Sequence, residues 1–232
     1  MAPREVLPEF LVSEREAFQA LSAVKIGKAI GPDCIPNRVL KEFAQELAPV
    51  VKDNYNASLI EGYFADALKA SLLNPIPKIS PPQQIESDLQ PIALTCTLAK
   101  VLEGFTRDRL ITQVSHQIDP RQFARAGHST TDALVYLLQA VYEAVDTGSY
   151  GARLFFADYS KGFDMIDHSL LIEELRNMHL HPVLVNWIIA FLYNRTKAVR
   201  IENIISEWKT PKGGIPQGTK LGVILFTIMT NN

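Results

Sequence analysis

The stretch Ala152–Ala157 (A-R-L-F-F-A) constrains the fold more than any other part of the chain. It is a short apolar run bounded by Gly151 and Asp158, which suits a buried β-strand. The patterns around it are mostly helical. Ser13-Glu14-Arg15-Glu16 fits a capping box, with Ala17, Leu21 and Val24 following at helical spacing up to Gly27. Further helices are expected from Asn37 to about Leu47, from Pro49 to Gly62 and from Thr95 to Val114. Thr130–Val145 reads as a helix with Leu134, Leu137, Leu138 and Val141 inward. Ala70–Lys78 reads as extended, because its prolines push the residues before them to β or polyproline geometry. Past the apolar run, helices are expected at His168–Met178, Val183–Tyr193 and Thr219–Met229, the last capped by Thr219. Ala198–Ile201 and Ile204–Trp208 suit a hairpin around Glu202-Asn203. The pattern is α+β, with many helices packed on a small antiparallel sheet.

Composition excludes several classes. A chain of 232 residues with 47% hydrophobic and 21% charged content can bury a real core and is not globally disordered. Cys34 and Cys96 form neither a CxxC unit nor a disulfide framework, so a reducing compartment is the default. The N-terminal MAPREVLPEF lacks the pattern of a secretory signal. The apolar runs Leu184–Tyr193 and Leu221–Met229 are too short to span a bilayer, so no membrane partner is expected. Residues 1–150 carry 14 Lys+Arg against 18 Asp+Glu, and residues 151–232 carry 9 against 7. Any nucleic-acid surface must therefore be a local basic stripe.

Asp158 follows the apolar run, where a carboxylate is costly unless it is paired or binds a cation. Mg²⁺ takes such oxygen ligands together with substrate phosphates. With Asp164 and Asp167 it makes D-x5-D-x2-D. The alternative is that Asp158 ends a strand while Asp164 or Asp167 caps the next helix. Phe163 is either core or, if Asp158 holds a nucleotide's metal, a ring against the sugar that excludes a 2′-hydroxyl. In Gly214-Ile215-Pro216-Gln217-Gly218-Thr219, Gly218 allows close backbone approach and Gln217 offers donors and acceptors. A plain loop-to-helix turn would read the same. Lys78, behind two prolines, either reaches a triphosphate or is solvated. Arg195, Lys197, Arg200, Lys209, Lys212 and Lys220 make a basic region that tracks a phosphate backbone or is a solvated hairpin face.

Six blocks in order carry a resemblance. They are Gly31-Pro32-Asp33, Pro75-Ile76-Pro77-Lys78, Pro91-Ile92-Ala93-Leu94-Thr95, Gly127 to Leu134, Phe156-Ala157-Asp158 to Asp164, and Gly214-Ile215-Pro216-Gln217-Gly218-Thr219-Lys220-Leu221-Gly222. From about Ala23 onward the chain resembles the reverse transcriptase domain of non-LTR (LINE-type) retrotransposons. The resemblance implies a right-hand polymerase: a helical extension over 1–22, fingers over 23–150 and a partial palm over 151–232, without a thumb. It implies RNA template, DNA primer and dNTP as partners, Mg²⁺ as cofactor, and an intracellular location, nuclear or cytoplasmic. Asp158 is implied as catalytic residue and ligand of two Mg²⁺ ions, with the Tyr159 carbonyl near one of them. Phe163 matches the sugar gate, Gln217 and Gly218 the nucleotide-contacting segment, and Lys78 a basic residue near the triphosphate. Asp164 and Asp167 are structural in this reading. Arg195, Lys197, Arg200 and Lys212 are the nucleic-acid-binding candidates.

The sequence departs from the family pattern at four places. Gln90 stands where Arg is usual before Pro-Ile, Cys34 where Gly is usual after Pro-Asp, and Phe123-Ala124-Arg125 where an aromatic-Gly-Phe stretch is usual. There is no adjacent Asp-Asp pair anywhere, although the family's next palm block is an aromatic-x-Asp-Asp hairpin. The expectation is a reverse transcriptase segment that is inactive alone. The alternative is a non-catalytic remnant with at most weak nucleic-acid binding.

Overall fold

A computed structural model describes residues 7–124, 127–148, 151–159, 161–216 and 218–231. Helix α1 (Glu14–Ser22) opens with the expected capping box: the Ser13 hydroxyl accepts from the Glu16 amide, and Glu16 reaches back to the Ser13 amide. It ends before Gly27, at Ala23. Helices α2 (Asn37–Glu42) and α3 (Ala44–Glu61) meet at Phe43. Pro49 therefore lies inside α3 rather than opening it, where its missing N–H leaves one helix bond unmade. Gly62 ends α3 in the left-handed conformation, at φ 63°.

The sheet follows. Strand β1 (Ala70–Pro77) leads through a short helix α4 (Ile85–Asp88) to β2 (Leu89–Thr95) and then to α5 (Thr97–Val114). Helix α6 spans Thr130–Asp146, α7 His168–Asn177 and α8 Pro182–Leu192. Strands β3 (Thr196–Ile201) and β4 (Ile204–Ile205) form the expected hairpin, and α9 spans Gly222–Met229. The order is β2-β1-β3-β4. The sheet is mixed rather than antiparallel, because β1 runs parallel to β3, from Ala70↔Thr196 to Leu73↔Val199. Pro75 and Pro77 lie beyond that register, where β1 has only β2 beside it. The prolines thus occupy the part of β1 that needs fewest donors.

The core lies between α3, α5, α7, α8 and α9. Trp187 is fully buried; its indole Nε1 donates to Ser58 Oγ at 2.9 Å, and the Phe64 ring meets it edge-on at 5.1 Å. Ser58 in turn donates to the Tyr63 carbonyl. Among the described residues no helix is long and apolar enough to cross a membrane.

Two further expectations fail. Ala152–Ala157 forms no strand, and Phe155 is 91% exposed. A strand gains its stability from a paired neighbour, and among the described residues no strand lies beside this one. Helix α6 forms on its Ser129–Asp132 capping box, but its apolar face is not inward: Leu134 and Leu138 are exposed, and Leu137 and Val141 are half-buried. Spacing defines an apolar face, but only an opposing element buries it.

Candidate active site

The turn after Asp158 and the Gly213–Ile215 segment are laced together. Gly214 has φ +83°, and a Cβ built on it would lie 2.8 Å from the Asp164 carbonyl oxygen, so only glycine fits. Its amide donates to the Ile166 carbonyl and the Ile215 amide to the Phe163 carbonyl, each at 2.8 Å. His168 Nε2 lies 2.8 Å from the Gly214 carbonyl, which only accepts, so the ring donates from Nε2. The turn itself closes through the Asp164 and Met165 amides, both donating to the Lys161 carbonyl.

Phe163 is half-buried and stacks on Phe226 of α9, with centroids 4.8 Å apart. Tyr159 meets the same ring edge-on at 6.4 Å. The Pro91–Thr95 block approaches from β2: a Cβ on Gly218 (φ +79°) would lie 3.5 Å from the Ala93 carbonyl oxygen. The first block packs behind it. A Cβ on Gly31 would lie 2.7 Å from Cys96 Cα, just past Thr95. Pro91, Ala93, Lys161, Asp164, Lys197 and Gly214 are among the residues lining a cavity of ≈ 370 Å³. A larger cleft of ≈ 1020 Å³ lies between α5 and α9.

The other site residues fall as follows. Asp158 is exposed on the unpaired segment, and Tyr159 is 70% exposed. The Tyr159 carbonyl, expected near a metal, accepts from the Gly162 amide at 3.3 Å. Asp167 caps α7, and the Leu170 and Ser169 amides hold its carboxyl below the usual carboxylate range. Thr219 does not cap α9; its hydroxyl donates to the Pro216 carbonyl at 2.8 Å, and α9 starts after Leu221. Lys78 is exposed past the far end of β1, about 16 Å along the strand from the cavity-lining Leu73. Gln217 lies outside the described residues.

The basic stripe needs one correction. Arg195 is 3% exposed, with its guanidinium over the Phe191 ring at 4.8 Å and one N–H donated to the Phe191 carbonyl. It follows the buried end of α8 and is drawn inward beside the Glu103 charge, so it is not on a nucleic-acid-facing surface. Lys197 and Arg200 are half-buried, and Lys209 and Lys212 are exposed on that side.

Sequence reasoning missed Glu103. It is fully buried on α5, and its Oε2 accepts from the Lys220 amide at 2.7 Å. Burial pushes its carboxyl up to about 7, against the pull of the Lys220 amide and the Arg195 charge. The signal was present: Glu103 shares a helical face with Ala99, Thr106 and Leu110, all buried. His168 is the first residue of α7 and also braces the Gly214 turn.

A magnesium pair needs several converging oxygen ligands. Among the described residues no group of three His, Cys, Asp or Glu is placed to hold a metal. Asp158 supplies one carboxylate, so these residues do not by themselves make that site.

The Pro91–Thr95 block, the Lys161–Asp164 turn and the Gly214–Pro216 segment thus come together around one cavity. The chain belongs to the reverse transcriptase (RNA-dependent DNA polymerase) family, which matches residues 76–232. It is 26% identical over 227 residues to a protein named as a probable RNA-directed DNA polymerase from transposon BS of Drosophila melanogaster, covering 97% of this chain and 25% of that protein. It is 28% identical over 228 residues to the RNA-directed DNA polymerase from mobile element jockey of Drosophila funebris, covering 97% and 25%. To the probable RNA-directed DNA polymerase from transposon X-element of Drosophila melanogaster it is 28% identical over 208 residues, covering 88% and 23%. The domain is thus of the LINE type that its motifs resemble, and the chain spans about a quarter of the length of these relatives.

Proposed function

We propose that this chain is the fingers and part of the palm of a LINE-type reverse transcriptase, which extends a DNA primer on an RNA template from dNTPs. The observation that carries the reading is the lacing of the Phe163 turn to Gly214-Ile215, which joins two of the blocks a polymerase uses around its nucleotide. In this reading residues 1–22 are a helical extension, 23–150 the fingers and 151–232 the palm part. Asp158 would be one ligand of a catalytic Mg²⁺ completed by carboxylates outside these residues; the ion would supply activation of the primer 3′-hydroxyl and stabilisation of the departing pyrophosphate. Phe163 stands against the sugar, Gln217 and Gly218 against the nucleotide, and Lys78 near the triphosphate. Lys197, Arg200 and Lys212 follow the nucleic-acid backbone. The sequence holds no adjacent aspartates, so the segment alone is expected to leave a primer unextended.

The test is Mg²⁺-dependent extension of a DNA primer on RNA by the chain within its complete reading frame, beside an Asp158→Ala variant. Extension abolished by Asp158→Ala supports the reading; extension that survives it overturns the assignment. A second reading, a non-catalytic remnant, is favoured by the exposed Leu154–Phe156 run. A transcript whose frame enters an aromatic-x-Asp-Asp block would exclude that remnant, and extension by its product would confirm the exclusion.

A further inference from the structure

We infer that Glu103 is a positioning residue for the incoming nucleotide, holding from within α5 the far end of the Ile215–Lys220 loop. The inference rests on the reading of that loop as nucleotide-contacting. Among the described residues Glu103 is the one buried acid. A hydrocarbon of similar size would pack there at lower cost, so the carboxylate's role lies in what it touches. It touches the start of α9. Helix α9 has no side-chain cap of its own, and Thr219, the local candidate, is spent on Pro216. From 117 residues away Glu103 takes the Lys220 amide at 2.7 Å, one residue ahead of the N-cap Leu221, with the Leu221 amide also favouring its charged form.

The loop is thereby held at both ends. Its Ile215 amide is on the Phe163 carbonyl at 2.8 Å, and its Lys220 amide is on Glu103 at 2.7 Å. Between them lie Pro216, Gln217 and Gly218. Fixing both ends to separate elements limits where the Pro216 and Gly218 backbone can sit, which is what a nucleotide-contacting segment requires. The charged groups around Glu103 are accounted for. Arg195 and Lys100 favour its ionised form. The Lys220 ammonium lies beside Gly104, where a built Cβ would be 3.0 Å from Nζ, with Arg107 and Asp108 acting on it.

The experiment titrates dGTP with Mg²⁺ against the protein expressed from its complete reading frame and its Glu103→Ala and Glu103→Gln variants, and follows amide exchange over residues 215–222. Glu103→Ala is expected to speed exchange there and to weaken dGTP binding on the order of tenfold. Glu103→Gln keeps an acceptor and is expected to restore most of both. Its affinity should follow pH differently from the wild type near neutrality, because only the wild type ionises. A folded Glu103→Ala chain that binds dGTP like the wild type overturns the inference. If Glu103→Ala fails to fold, a Glu103→Gln protein whose exchange over residues 215–222 speeds up while its dGTP affinity stays unchanged overturns it instead. A wild-type chain that binds no dGTP overturns the nucleotide reading of the loop, and the positioning role with it.

Discussion

The ring of Phe163 lies on that of Phe226, with centroids 4.8 Å apart and 26° between the planes. The residue proposed to face the sugar is thus backed by a second aromatic on α9. A ring discriminates by shape only if it cannot yield, and stacking of this kind is worth about 0.5–1.5 kcal/mol. Phe226→Ala in the complete enzyme is therefore expected to lower discrimination against ribonucleotides by roughly three- to tenfold without touching the nucleotide. The ratio of dNTP to rNTP incorporation measures it. An unchanged ratio would mean that Phe226 only fills space.

Cys34 has φ +55°, in the left-handed region that favours glycine. Its side chain is exposed and makes only a long contact, from Sγ to the Pro32 carbonyl at 3.7 Å. Glycine would relieve the backbone strain and lose little packing. Cys34→Gly is expected to stabilise the chain by about 0.5–1 kcal/mol, offset in part by the added freedom of the unfolded chain. Denaturant unfolding of the two chains tests it, and a lower midpoint in the glycine variant would refute it.

Glu103 makes stability depend on pH. Its carboxyl is raised by burial from 4.5 to about 7, so the folded chain holds a proton that the unfolded chain has released. Its contribution is complete below 4.5 and is lost as pH rises through about 7. Between about pH 5 and pH 8 the wild type should lose on the order of 1–3 kcal/mol that Glu103→Gln does not lose. Parallel pH profiles in denaturant unfolding would show that Glu103 does not titrate in this window.

Arg195 and Lys212 stand near each other in sequence and should fail in different ways. Lys212 is exposed, so Lys212→Ala should lower affinity for single-stranded RNA and reduce the salt slope by about 0.7, with unfolding unchanged. Arg195 is buried against Phe191 and beside the Glu103 charge, so Arg195→Ala should cost about 3 kcal/mol or more of stability. Loss of RNA affinity by a fully folded Arg195→Ala chain would return it to the surface stripe.

Local chemistry made most of the elements legible. The Ser13 and Ser129 capping boxes, the prolines of Ala70–Lys78, Pro182 at the head of α8 and the turn at Glu202-Asn203 each act within a few residues. So did the six ordered blocks, because a family's motifs are strings before they are surfaces. What failed were statements about partners. Ala152–Ala157 has the composition of a strand but no strand beside it among the described residues, and α6 has an apolar face whose Leu134 and Leu138 stay exposed. Arg195 carries the charge of a surface stripe, yet its neighbours on α8 and Glu103 on α5 draw it inward.

By itself, then, the sequence determined the helices, the hairpin, the family and the candidate residues Asp158, Phe163 and Gly218. The tertiary structure alone decided that β1 runs parallel to β3, that Gly214 sits on Asp164, and that Glu103 accepts the Lys220 amide ahead of α9. The division has one physical cause. Caps, turns and periodicity are settled by bonds that span a few residues, while burial and pairing depend on contacts between residues as far apart as Glu103 and Lys220.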